Sequence, residues 1–242
     1  MCTVTFIPFN NKIFITHNRD ENSKRTKAVP PEEYIINGHT VLFPRDSAAG
    51  GTWIAINKNG AAAVLLNGAF IKHSHKPPYR KSRGLAFLDI IAAGDIFLSY
   101  HTTNLTGIEP FTIILWNDGI LYECRWDGLQ KHVIKPDSGK GHTWSSVTLY
   151  DDAVIDKRKD WFNNWRQQQL APAIDDILAF HLSAGDGDAA NDLRMNRNGQ
   201  MLTVSITAME IGERNATMHY LGLHDNSRTT HELNFIKAPA IQ

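Results

Sequence analysis

Apolar and β-branched side chains recur with a two-residue period along residues 3–8 and 12–16, and Asn10-Asn11 between them suits a tight turn. This pattern predicts an antiparallel hairpin. The polar tetrad Asn18-Arg19-Asp20-Glu21 then falls where the second strand runs out. A second hairpin is predicted over 52–57 and 61–66 around Lys58-Asn59-Gly60, with Asn67 closing it. From Ser82 the period lengthens: Leu85, Leu88, Ile91 and Ala92 recur at helical spacing, and Gly94 is placed to stop the helix. Strand character returns at 112–116, 121–126 and 129–134, with Asn117-Asp118-Gly119 and Asp127-Gly128 as turns. Asp151 or Asp152 can cap a helix that carries Val154, Arg158, Trp161, Phe162 and Trp165 on or near one stripe. A shorter helix at 174–181, a Gly/Asp-rich loop and strands at 202–209, 217–223 and 232–236 follow. Hairpins, an intervening helical block and strands again predict an α+β layered fold, not a parallel doubly wound sheet.

Composition narrows the functional classes. A hydrophobic share of 42% against 21% charged residues gives the 242-residue chain a sizeable core and sets it apart from disordered sequences. With no repeat and no low-complexity linker, one domain over 1–242 is the expectation. Lys+Arg and Asp+Glu both number 25, so there is no overall basic excess for neutralising phosphates, and no nucleic-acid partner is expected. No run approaches the roughly 18 apolar residues that a spanning helix requires, so no membrane span is expected. The start has no basic segment followed by a long apolar one, and Cys2 and Cys124 cannot make a disulfide framework. A cytoplasmic location follows as the expectation, and Asn104-Leu105-Thr106 and Asn215-Ala216-Thr217 then carry little weight as glycosylation triplets. No Gly-rich phosphate loop follows a strand, and no cofactor is expected.

Cys2 is the most informative position. Initiator methionine is generally trimmed before a small residue, which would place a thiol and an α-amine on one residue. An amine of pKa about 7.7–8.0 can serve as base for a thiol of about 8.5 without a separate histidine. The plainer alternative is a small buried hydrophobe in a first strand. The opening hairpin folds Asp20 back beside that terminus, where it could orient the amine, while Arg19 could hold an anion or support Asp20. The stretch His73-Ser74-His75-Lys76-Pro77-Pro78-Tyr79-Arg80-Lys81-Ser82-Arg83 is the most basic in the chain. Its prolines make it a loop, read as solvated surface in preference to a pocket gate that attracts acidic substrates. His73 and His75 lack companions at metal-site spacing, and the Asp-rich loop at 185–192 fails the calcium pattern. Trp161, Phe162 and Trp165 are read as core.

Met1-Cys2, Asn18-Arg19-Asp20-Glu21, Gly50-Gly51-Thr52-Trp53, Leu65-Leu66-Asn67 and Ser82-Arg83-Gly84 together resemble the NRDE family, also called the transport and Golgi organisation family. More distantly the layout is similar to the bile-salt hydrolase and penicillin V acylase group of N-terminal-nucleophile hydrolases. That resemblance implies a four-layer αββα sandwich, with two antiparallel sheets between helical layers and a mature N-terminal cysteine as nucleophile. It implies Cys2 as nucleophile, Asp20 as the aspartate beside it, and Asn67 and Ser146 as oxyanion contributors, while Arg19, adjacent to Asp20, departs from the pattern of those hydrolases. Asn18, Glu21, Trp53 and Arg83, in the same motifs, are the substrate-binding candidates. This chain has His17 where those hydrolases place an arginine, and Thr203, Arg194 and Arg197 all lie near the position of their late arginine. The implied activity is hydrolysis of a nonpeptide C–N amide bond in a small molecule. The alternative, from what is known of the family, is noncatalytic binding or trafficking of a hydrophobic or anionic ligand such as haem or lipid.

Overall fold

A computed structural model describes residues 2–236. In chain order the elements are β1 (Cys2–Phe9), β2 (Lys12–Asn22), β3 (Val29–Ile36), β4 (His39–Arg45), β5 (Ile54–Asn57), β6 (Ala62–Asn67), α1 (Arg83–Ile91) and α2 (Ile96–Thr102). These are followed by β7 (Phe111–Asn117), β8 (Ile120–Trp126), β9 (Lys131–Ile134), β10 (His142–Ser145), α3 (Asp152–Gln168) and α4 (Ile174–Ser183). The last strands are β11 (Asn196–Arg197), β12 (Met201–Ile211), β13 (Asn215–Gly222) and β14 (Ser227–Asn234). They form two antiparallel sheets. One runs β10-β1-β2-β12-β13-β14 with β11 beside β12, and the other runs β3 to β9 in sequence order.

Alternation along the strands feeds three layers of core. In β6, Ala62, Val64 and Leu66 point between the sheets, where they meet Val4, Phe6 and Ile15 of the first sheet. Ala63 and Leu65 point the other way, into a core built with Phe87, Ile90 and Ile91 of α1 and Tyr100 of α2. On the far face of the first sheet, Ile7 and Phe14 pack against Phe162 of α3 and Ile177 and Phe180 of α4. The central strands are thus covered on both faces, and β1, β5 and β6 are buried along nearly their whole length. The result is the four-layer αββα sandwich implied by the resemblance.

Turn chemistry sets the hairpins. Asn10 and Asn11 adopt φ of 48° and 56°, and Asp118 and Gly119 adopt 49° and 77°, the left-handed pair that two-residue hairpins require. Ser82 caps α1 by accepting from the Leu85 N–H, and Asp151 caps α3 by accepting from the Val154 N–H. Helix α1 ends at Ile91, ahead of the predicted stop at Gly94. Among the described residues no helix is long and apolar enough to cross a membrane.

Candidate active site

Strand pairing builds the site from its first residue. In the β1–β2 ladder Cys2 lies opposite Arg19, and in the β2–β12 ladder Asp20 lies opposite Thr203. Cys2 is 3% exposed, yet it forms part of the wall of a cavity of about 450 Å³. Arg19, Glu21, Trp53, Asn67 and Arg83 share that wall, so the structure brings together six of the nine residues proposed from sequence. Burial pushes the Cys2 thiol above its ordinary value, and the neighbouring Asp20 charge adds to the rise, while a hydrogen bond with the Asp20 backbone opposes it.

Asp20 stands behind the thiol. It is fully buried, accepting from the Tyr150 hydroxyl at 2.6 Å and the Thr203 hydroxyl at 2.7 Å. Burial raises its carboxyl above the ordinary range and outweighs the Arg158 charge and these two hydrogen bonds, which pull it down. Arg158, 1% exposed on α3, stacks 3.6 Å from the Tyr150 ring centroid. It donates to the Thr3 hydroxyl and to the carbonyls of Asn191 and Asp192. An arginine on the apolar stripe of a predicted helix was the sequence signal for this group. Tyr150 and Asp46 carried no such signal.

Arg19 occupies the wall facing the cavity. Its Nη2 donates to Asp46 Oδ2 at 2.7 Å, its guanidinium carbon lies 4.1 Å from the Trp53 ring centroid, and Glu21 stands 3.6 Å away. Arg25 closes the cluster, 2.8 Å from Asp46 and 3.6 Å from Glu21. Burial acts to raise Asp46, but hydrogen bonds from Arg25 and the Ala49 N–H, together with both arginine charges, carry it below its ordinary value.

The opposite wall comes from α1 and the basic loop. Gly51 and Gly84 meet backbone to backbone, since a Cβ on Gly51 would stand 2.7 Å from the Gly84 carbonyl carbon. That approach seats Arg83 at the cavity, where its Nη2 pairs with Glu109 at 3.0 Å. Burial lowers the Arg83 guanidinium while Glu109 and the Cys2 charge oppose the fall. His73 and His75 reach the same carboxylate at 3.0 and 3.3 Å. His75, Tyr79 and Lys81 line the cavity, so the loop read as solvated surface is also a wall of the site. Among the described residues no group of three or more His, Cys, Asp or Glu is placed to hold a metal ion.

Three candidates sit elsewhere. Asn18, next to Arg19 on a strand, faces the helical layer: its amide donates to the carbonyls of His181 and Leu193 at 3.0 and 2.8 Å, out of reach of a ligand in the cavity. Ser146 does not line the cavity. Its hydroxyl donates to the Asn67 carbonyl at 2.7 Å and its N–H to the Cys2 carbonyl at 2.9 Å, so it ties the two sheets together and leaves no donor for an oxyanion. Asp20 lies behind the cavity wall, held by the Tyr150 and Thr203 hydroxyls.

Residues 1–117 match the Transport and Golgi organisation 2 family. That span holds every cavity residue named here, whereas Tyr150, Arg158 and Thr203 lie beyond it. No curated protein matches the chain. Among solved structures, the fold is similar to the C2A mutant of conjugated bile acid hydrolase from Clostridium perfringens, at 8% identity and TM-score 0.59, with all of both chains covered. Penicillin V acylase from Agrobacterium tumefaciens aligns at 12% identity and TM-score 0.55, over 98% of this chain and 87% of that one. The Caenorhabditis elegans ortholog of N-acylethanolamine-hydrolyzing acid amidase aligns at 14% and 0.56, over 86% and 92%. These similarities establish the N-terminal-nucleophile hydrolase fold.

Proposed function

We propose that the protein is a hydrolase of a nonpeptide amide bond in a small molecule, with Cys2 as nucleophile. The observation that carries this reading is the Cys2 thiol in a cavity wall beside Arg19, Asn67 and Arg83, backed by the buried Asp20. Three structural neighbours with amide- or acyl-cleaving names support the same reaction class. With Cys2 as first residue, its α-amine takes the thiol proton and the sulfur attacks the amide carbonyl carbon. The Asn67 side-chain amide, on the wall beside the thiol, donates to the oxyanion that forms. Collapse of the tetrahedral adduct breaks the C–N bond, and the departing nitrogen takes the proton held by the α-ammonium. Water then attacks the thioester, releasing the acid and restoring the thiol. Arg83 supplies a positive charge that favours the thiolate, and Asp20 orients the amine.

Intact-mass analysis and a substrate screen test this. Active protein is expected to lack Met1. N-acyl amino acids, lactams and bile-salt-like amides should include a compound that wild type cleaves and Cys2→Ala does not. Iodoacetamide should modify Cys2 ahead of Cys124, whose thiol is enclosed in the α1/α2 core and pushed up to about 12 by burial. Retention of Met1 in active protein, or turnover by Cys2→Ala, would end the proposal.

A further inference from the structure

A second chamber of about 200 Å³ adjoins the first and shares Arg19, Glu21 and Arg25 with it as a common wall. Cys2 is absent from its lining. The chamber has two kinds of surface. Ala28, Pro30 and Val204 supply apolar floor, and Arg19, Arg25 and Lys27 bring positive charge. Its carboxylates are already engaged: Glu21 faces both arginines at 3.6 Å, and Asp225 pairs with Lys27 at 3.2 Å and accepts from the Ser227 N–H. The arginines are not used up in the same way. Each donates through one nitrogen to Asp46 and approaches Glu21 at 3.6 Å through that same nitrogen, which leaves the other nitrogens of either planar fork for a further acceptor.

Planar forks with spare donors beside a short apolar floor match a carboxylate that carries a short hydrocarbon tail. We propose that this side chamber binds such a monocarboxylate, with its oxygens on the Arg19 and Arg25 forks and its tail over Ala28, Pro30 and Val204. The same chemistry describes a free acid or the acid end of a larger ligand that crosses the Arg19–Glu21 wall toward Cys2. Because Cys2 takes no part in this lining, binding can be tested whether or not the thiol is a nucleophile.

Hexanoate is the probe, measured by calorimetry and ligand-observed NMR on the full chain, with hexanol and hexylammonium as comparators. Hexanoate should bind and both comparators should bind at least about tenfold more weakly, as expected when a charge-assisted pair is lost or reversed. Ala28→Trp, which fills the floor, should weaken hexanoate by about tenfold or more. Arg25→Gln, at a side chain 35% exposed, should weaken it by about fivefold. Iodoacetamide labelling of Cys2 with hexanoate present separates the two sources. An unchanged rate assigns the chamber to a free acid, and protection assigns it to a ligand that spans the wall. Equal affinity in wild type and both folded variants, no hexanoate binding at all, or tighter binding of hexylammonium would overturn the proposal.

Discussion

Two buried histidines set how the protein responds to acid. His181 exchanges hydrogen bonds with β2 and β1: its Nδ1 lies 2.6 Å from Asn18 Oδ1, and its Nε2 lies 2.8 Å from the Thr5 hydroxyl. An amide oxygen only accepts, so Nδ1 carries the proton and Nε2 accepts from Thr5. Protonating Nε2 would break that bond, and burial together with the Arg158 charge lowers the ring to about 3. Burial likewise drives His17 well below its ordinary value, with the Arg19 charge adding to the fall. As pH falls below about 6.5 the unfolded chain takes up protons that the folded chain refuses, so stability is lost across that window. Asp20 works in the opposite sense, since burial raises its carboxyl above the ordinary carboxylate range and the fold holds that proton more tightly than the unfolded chain. Denaturant unfolding should therefore show a loss of about 2 kcal/mol from His181 between pH 6.5 and 5, with His17 adding to it in the same direction. In His181→Gln the pH dependence should shrink, and what remains is carried by His17. Superimposable pH profiles for the two proteins would refute the assignment.

Among elements, the approach of the Gly50-Gly51 turn to the start of α1 decides where Arg83 points. Gly51→Ala would force a methyl against Gly84 and the Leu85 nitrogen, at 2.7 and 2.9 Å. Overpacking of this kind costs about 1–3 kcal/mol, and here the relief is to push α1 off the cavity wall. The variant should melt earlier, and its Cys2 should alkylate more slowly as the Arg83 charge withdraws; an unchanged melting temperature would show that the contact is soft. Much of this architecture was legible in the sequence where period and turn chemistry agreed, as in the hairpins at Asn10-Asn11 and Asn117-Asp118-Gly119 and the helices capped by Ser82 and Asp151. The edge strands β3 and β10 were not, nor were β4 and α2. Strand β3 carries Pro30, Pro31, Glu32 and Glu33, an edge composition that hides a strand, and β10 is a four-residue edge strand known only by its pairing with β1. Strand β14 spans Ser227–Asn234, earlier than the predicted 232–236, because its exposed polar residues lack an apolar period. In the site, residues inside motifs were legible apart from Asn18, which strand alternation turns to the helical layer, but Asp46, Glu109 and Tyr150 reach it through contacts between elements, which no local pattern records.

At the scale of the whole molecule, the site lies where all the layers are pinned together. Ser146 joins the Cys2 strand of one sheet to the Asn67 strand of the other. Arg158 reaches from the helical layer to Thr3 on β1 and to the 191–192 carbonyls, and its charge faces Asp20. Removing Arg158 would leave the Thr3 hydroxyl and the 191–192 carbonyls without their charged donor and take a positive charge from the neighbourhood of a buried carboxylate, a combined loss of about 3 kcal/mol. Arg158→Met should therefore destabilise the fold by about that amount, part of it from Asp20 and part from the orphaned carbonyls. Asp20→Asn added to Arg158→Met should recover a fraction of the loss, because the amide keeps partners in Tyr150 and Thr203 without requiring a charge. The double-mutant cycle measures that coupling directly, with about 1 kcal/mol or more expected for groups in one network. Strict additivity of the two substitutions would mean that Arg158 holds the layers through its carbonyl bonds alone, and that the charge beneath Cys2 is set by Asp20 and its hydroxyl donors.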